Sequence, residues 1–188
     1  MKRKKPIISI IVAESWNGVI GANNDIPWMG KLKDDMNYFL RTTVSHPYIL
    51  GRLTYKSLNG PLSNRFGILL SRKGFKPEDH EKWNEEKHAG TMMSTNTLRK
   101  AIRIATAHDT TDEPEIFIIG GGETYKQALE LGIVDRVYIT EIDAPFEGEV
   151  FFPKLDPAIW ELKSEWQWPA DAERNMYPFS WKVYERAA

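Results

Sequence analysis

Short apolar runs alternate along this chain with segments of helical period. Ile7–Ala13 is almost wholly apolar and β-branched, which predicts a strand buried on both faces. Further strand segments follow at 47–50, 67–70, 91–93, 115–119 and 136–142. Between them the pattern predicts four helices: from about Asp35 to Thr43, near Thr54–Leu58, from a Thr97 cap to about Ala107, and from Gly120-Gly121-Gly122 to about Leu131. The polar stretch from Ser71 to Ala89 reads as an exposed excursion, and about Trp160–Gln167 with Phe179–Arg186 as an antiparallel pair. This alternation predicts an α/β fold: three layers, a mostly parallel central sheet, an antiparallel C-terminal hairpin and about four flanking helices. No repeat, low-complexity tract or linker interrupts it, so residues 1–188 are expected to form one domain, with 1–6 as a basic tail.

Composition narrows the function. A net charge of −1 gives no electrostatic case for nucleic acid or an anionic membrane. The absence of cysteine excludes disulfides, iron–sulfur clusters and thiolate zinc sites, and it fits a cytoplasmic protein. Four scattered histidines lack metal-ligand spacing, so no metal is expected. The apolar run after the basic start is too short for a signal sequence, and no run approaches a membrane span. Seven tryptophans are many for this length, and core or hairpin packing accounts for most of them.

Three places carry chemistry. In Leu32-Lys33-Asp34-Asp35-Met36-Asn37-Tyr38-Phe39, just after Ile26-Pro27-Trp28, Asp35 and Phe39 share a helical face. Asp34 or Asp35 serves there as a helix N-cap, or else an acid on an apolar face is at work. At Ile119-Gly120-Gly121-Gly122-Glu123-Thr124-Tyr125 a strand passes through glycines into a helix, either a tight turn or a phosphate-accepting helix start. Gly51-Arg52-Leu53-Thr54-Tyr55 repeats that junction with an arginine that is either a solvated surface charge or, since the helix dipole disfavours it there, the mark of a bound anion, with Arg72 and Lys73 available nearby. Arg65 is either an ordinary loop charge or a bidentate clamp for a carboxylate.

Taken in order, these segments resemble dihydrofolate reductase from Ile8 to Arg186. Gly18-Val19-Ile20-Gly21 with Ile26-Pro27-Trp28 looks like the family's first mobile loop, and Asp35-Met36 with Phe39 like its acid-bearing helix. Gly51-Arg52, Thr54-Tyr55, Ser57-Leu58, Pro61-Leu62 and Arg65 are similar to the middle block. Ile119 with the glycines and Tyr125, then Thr140, Ile142-Asp143, Gly148 and Phe152-Pro153, complete the pattern.

The resemblance implies NADPH-dependent reduction of dihydrofolate, with hydride going to pteridine C6 and a proton to N5. It implies that Asp35 binds the pteridine with support from Thr140, and that water near Trp28 delivers the proton. Ile11, Ala13, Met36, Phe39, Leu58 and Leu62 would line the folate pocket, with Ile119 and Tyr125 beside it, and Arg65 would hold the glutamate tail. Ala13, Ile20, Gly21, Gly120, Gly121, Gly122, Glu123 and Thr124 would flank the cofactor, with Gly51, Arg52, Leu53, Thr54, Ser71 and Arg72 toward its adenosine end. A monomer is expected, with no thymidylate synthase domain alongside. Three departures from the family pattern stand out. The Trp28–Asp35 interval is longer than usual, Lys33 replaces a common proline, and Glu123 stands where a basic residue is frequent. Two rivals remain: a pyrimidine reductase of riboflavin synthesis, which would lack the Trp28/Asp35/Phe39 set, and a non-catalytic relative, which would have no need of Asp35, Arg65 and the glycines together.

Overall fold

A computed structural model describes residues 4–58, 60–88 and 90–187. Residues 1–3 of the basic tail and residue 89 of the polar excursion lie outside the described residues. The chain forms two compact units, one built from Thr43–Ile133 with the chain start up to Ile8, the other from Ser9–Thr42 and Val134–Ala188.

In the first unit, β3 (Tyr48–Gly51), β4 (Gly67–Leu70), β5 (Met92–Thr95) and β6 (Glu115–Ile118) lie in the order β5-β4-β3-β6, with β3 parallel to both β4 and β6 and β4 parallel to β5. Tyr48, Ile49, Leu50, Ile68, Leu69, Ile116 and Ile118 are fully buried, as continuous apolar strands covered on both faces require. Helix α4 (Leu98–His108) packs across all four strands, while α2 (Arg52–Ser57) and α5 (Gly122–Glu130) pack against β3. The α4 start follows its sequence signal, since the Thr97 side chain accepts a hydrogen bond from the Lys100 N–H at 3.3 Å.

The second unit contains β1 (Ile7–Ser15, from Ser9 on), β7 (Arg136–Ile142), β9 (Trp160–Trp168) and β10 (Phe179–Arg186) in the order β1-β7-β10-β9. β1 and β7 are parallel, and β10 is antiparallel to both β7 and β9. Helix α1 (Lys33–Thr43) begins two residues before the expected start. Fold class and C-terminal hairpin are therefore as expected.

Several details differ from the sequence reading. Val19–Gly21 (β2) pairs with Val150–Phe151 (β8) as a small separate ribbon, too short to leave a periodic signal. The stretch after Ser71 is not wholly exposed. Pro77 and His80 are buried, the Tyr55 hydroxyl donates to the Pro77 carbonyl, and the His80 ring lies 4.7 Å from that of Tyr55. A short fifth helix, α3 (Glu85–His88), follows.

Candidate active site

Neither Asp34 nor Asp35 is the N-cap, because α1 already begins at Lys33 and both acids sit in its first turn. Asp35 instead meets a row of residues that the strands bring side by side. Thr140 on β7 pairs with Ala13 on one flank and Trp181 on the other, so the three share a sheet face. The Thr140 hydroxyl donates to Asp35 Oδ1 at 2.6 Å and the Trp181 indole N–H to the same oxygen at 3.3 Å. Both donors are buried, and Tyr38 stacks on Trp181 with ring centroids 4.3 Å apart. Among the described residues no donor reaches Oδ2, which leaves that oxygen for a ligand's N–H groups.

Burial pushes the Asp35 carboxyl above its ordinary value, and the Thr140 and Trp181 donors pull part of the way back. Its neighbour Asp34 goes the other way. Hydrogen bonds from Arg174 and Asn175 hold that carboxyl down to about 2. Two adjacent acids of identical chemistry are thus driven apart by surroundings alone.

An open cavity of about 430 Å³ adjoins Asp35 and is lined also by Ile26, Trp28, Met29, Leu32 and Met36. Trp28 is buried edge-on against Phe146, ring centroids 5.1 Å apart, and its indole N–H has no protein partner among the described residues. Ile11 lies two residues before Ala13 on the same strand face. Met36 is exposed and Phe39 partly buried.

In the other unit the backbone dominates. The Gly51 N–H donates to the Gly120 carbonyl at 2.7 Å, joining the ends of β3 and β6. A Cβ on Gly51 would stand 2.8 Å from Thr124 Oγ1, and one on Gly121 would stand 2.9 Å from Thr54 Oγ1. Gly120 has φ +130°, and the Gly120–Gly121 peptide is cis. Gly51 and Gly121 are the N-caps of α2 and α5 and offer no capping side chain; in α5 the Thr124 N–H donates to the Gly121 carbonyl at 2.8 Å, while the N–H groups before it receive no cap among the described residues. Ile119, Thr124 and Tyr125 are buried below this turn.

Arg52 directly follows Gly51, and Arg72 lies two residues past the end of β4. Arg52 is partly buried, Leu53 and Arg72 are exposed, and buried Ser71 accepts from the Phe75 N–H at 3.0 Å. Arg52 and Arg72 form no ion pair among the described residues. Glu123 is exposed in the first turn of α5. Arg65 is partly buried; its Nε donates to the Ser63 carbonyl at 2.9 Å and its Nη1 to Thr43 Oγ1, again with no carboxylate partner among the described residues. Leu58 and Leu62 are partly buried. Ile20 and Gly21 lie on the β2–β8 ribbon, where Gly148 permits close approach because its Cβ would stand 2.5 Å from the Gly21 carbonyl oxygen.

A family model described as dihydrofolate reductase matches residues 7–186. The chain belongs to the dihydrofolate reductase family. It is 34% identical over 178 residues to the dihydrofolate reductase of Haemophilus influenzae, covering 95% of this chain and 98% of that one. The Bacillus subtilis enzyme is 33% identical, with 96% of this chain and 95% of the relative covered. A solved structure of the Enterococcus faecalis dihydrofolate reductase, complexed with NADP(H) and RAB-propyl, superposes with a TM-score of 0.75 at 27% identity, over 97% of each chain.

Sequence reasoning missed one residue in contact with the acid. The packing that accounts for most of the tryptophans does not describe Trp181, whose indole N–H donates to Asp35. The signal lay in register: once β10 is set against β7, Trp181 falls opposite Thr140. A single sequence does not display that alignment. Arg174 and Asn175, which hold Asp34, were also missed, because they approach from 140 and 141 residues away.

Proposed function

We propose that this dihydrofolate reductase family member reduces 7,8-dihydrofolate to 5,6,7,8-tetrahydrofolate with NADPH, and that Asp35 binds and orients the pteridine. One observation carries the assignment. Asp35 is a partly buried carboxylate with one oxygen held by Thr140 and Trp181 and the other open to a ligand. That arrangement suits a flat heterocycle presenting an N–H and an amino group side by side, since a carboxylate accepts two parallel bonds.

The chain's residues fit NADPH. A glycine turn that added Cβ atoms would fill, two helix starts without capping side chains, and arginines without carboxylate partners suit a dinucleotide diphosphate with a further phosphate. Bound NADPH would supply the hydride to pteridine C6. Gly120, Gly121, Gly122 and Thr124, with Ala13, Ile20 and Gly21, would flank the nicotinamide, while Gly51, Arg52, Leu53, Thr54, Ser71 and Arg72 hold the adenosine end. Ile11, Met36, Phe39, Leu58, Leu62, Ile119 and Tyr125 would wall the substrate, with Arg65 on its carboxylate tail. Asp35 fixes orientation and tautomer, and the free Trp28 N–H holds the water that protonates N5.

The proposal extends to a single-domain monomer acting in the cytoplasm without nucleic acid or membrane. The net charge of −1 and, among the described residues, the lack of any helix long and apolar enough to cross a membrane bear on the last two alone. A turnover assay with NADPH and dihydrofolate tests the function. Tetrahydrofolate should form one for one with NADPH oxidised. Turnover of a riboflavin-pathway pyrimidine instead would overturn the reading.

A further inference from the structure

The connection between β9 and β10, residues 169–178, reaches the start of α1 and binds it along both backbone and side chains. The Lys33 N–H donates to the Arg174 carbonyl at 2.9 Å and the Met176 N–H to the Lys31 carbonyl at 2.8 Å. The Asp34 N–H donates to Asn175 Oδ1 at 3.2 Å, and Asn175 Nδ2 returns a bond to Asp34 Oδ2 at 2.7 Å. The Arg174 guanidinium grips the same carboxylate with Nε and Nη2. Asn175 is 3% exposed and performs from a distance the task of a missing N-cap side chain.

The connection is itself braced. Asp171 and Asn175 exchange two backbone bonds of 2.7 Å, and the Arg174 N–H donates to the Asp171 carbonyl at 3.1 Å. The hairpin therefore touches the acid-bearing turn twice, through Trp181 on Asp35 and through Arg174 and Asn175 on Asp34. This chain needs the second contact. Its Trp28–Asp35 interval is long, and a longer connection leaves the helix start more freedom unless something outside fixes it. Lys33 reinforces the contact, since a proline there would have no N–H to give the Arg174 carbonyl.

We propose that Arg174 and Asn175 are positioning residues for the reduction: by clamping Asp34 they set the rotation of α1 at which Asp35 meets both Thr140 and the substrate. The inference rests on the assignment of Asp35 under Proposed function. The clamp stays charged at neutral pH, because its own hydrogen bonds hold the Asp34 carboxyl far below that range.

Two variants of the full-length protein test it. Arg174→Ala removes the grip from a half-exposed side chain, and Lys33→Pro deletes the backbone bond to Arg174 together with the Lys33 Nζ bond to the Glu173 carbonyl, at a first helical position that tolerates proline. Each should slow hydride transfer by about tenfold, as small misplacements of a reacting group do, and raise KM for dihydrofolate while KM for NADPH stays within about twofold. Arg174→Lys should recover only part of the rate, because an ammonium lacks the fork that meets both carboxylate oxygens. Placed in an Asp35→Asn background, Arg174→Ala should have almost no further effect on hydride transfer. Wild-type rates with a lowered Tm alone would overturn the proposal, as would an undiminished penalty in the Asp35→Asn background. A wild type that turns over no dihydrofolate would instead overturn the functional reading beneath it.

Discussion

Around Asp35 the chemistry resides in side chains; around Gly51 and Gly120–Gly122 it resides in the backbone. The first region sets one carboxylate among a hydroxyl, an indole and apolar walls, so its behaviour depends on which atoms each side chain ends in. The second region works by having no side chains at the strand ends, so a single methyl group is the sharpest perturbation available. The comparison teaches what to change. An isosteric swap that deletes a charge should damage rate in the first region, whereas added volume should damage binding in the second.

The largest effect is expected at Asp35. Asp35→Asn keeps the shape and removes the charge, and hydride transfer near neutral pH should fall by roughly two to four orders of magnitude. The loss should shrink at low pH, where the substrate arrives already protonated; wild-type turnover at pH 7 would contradict the assignment. Stability should move the opposite way. Burial raises the Asp35 carboxyl above its usual 3.8, so the stability it lends is complete below that pH and is lost as pH rises through the raised value. The asparagine variant should therefore be the more stable protein at neutral pH, with the gap closing in acid. Urea unfolding across pH measures it, and a gap that widens in acid would break the argument.

Arg65→Leu separates binding from rate on the substrate side. A charge-assisted bond is worth about 1.5–3 kcal/mol, so KM for dihydrofolate should rise about ten- to a hundredfold with little change in kcat. A pteridine lacking the glutamate tail should scarcely distinguish the two proteins. Arg65 also holds Thr43 and the Ser63 carbonyl, so equal penalties on both substrates would reveal a role in folding instead.

The same contrast explains what was legible in the sequence. Strands such as 48–51 and 67–70 announced themselves because burial on both faces forces a continuous apolar run. The Thr97 cap was readable because its partner lies three residues on. Asp35, Arg65 and the glycines stood out by type and order, which the family resemblance uses. What stayed hidden depends on chain segments meeting from afar: the early start of α1, capped by Asn175; the indole of Trp181 on Asp35; and the β2–β8 ribbon, whose partners lie some 130 residues apart. Local pattern carries local structure, and register between distant strands leaves no periodic trace.

The backbone region should fail under one methyl. In Gly121→Ala the new Cβ would stand 2.9 Å from Thr54 Oγ1, and threonine has little rotamer freedom with which to retreat. Overpacking of this kind costs about 1–3 kcal/mol, which should appear as a raised KM for NADPH and a lowered Tm while KM for dihydrofolate stays close to wild type. Normal NADPH binding would mean that the turn relaxes freely and that its glycines matter only for folding.

The smallest effects concern the charges beside the glycines. NADPH exceeds NADH by a 2′-phosphate, so discrimination needs cations close to the ribose. Arg52 and Arg72 have no carboxylate partners among the described residues, whereas Glu123 is exposed in the first turn of α5 and favoured there by the helix dipole. Contact distance outweighs a charge several ångströms further out, because exposed charges are screened within about 8–10 Å at moderate salt. Two arginines touching the phosphate should therefore prevail over one nearby glutamate. The wild type should prefer NADPH, and the preference should fall as salt rises. Arg72→Ala should raise KM for NADPH several-fold and leave NADH nearly unchanged, while Glu123→Lys should tighten NADPH by no more than the 0.2–1 kcal/mol or so of an exposed pair. Steady-state kinetics with both cofactors at two salt concentrations checks all three. Comparable kcat/KM for NADH and NADPH in the wild type would show that Glu123, not the arginines, governs cofactor choice.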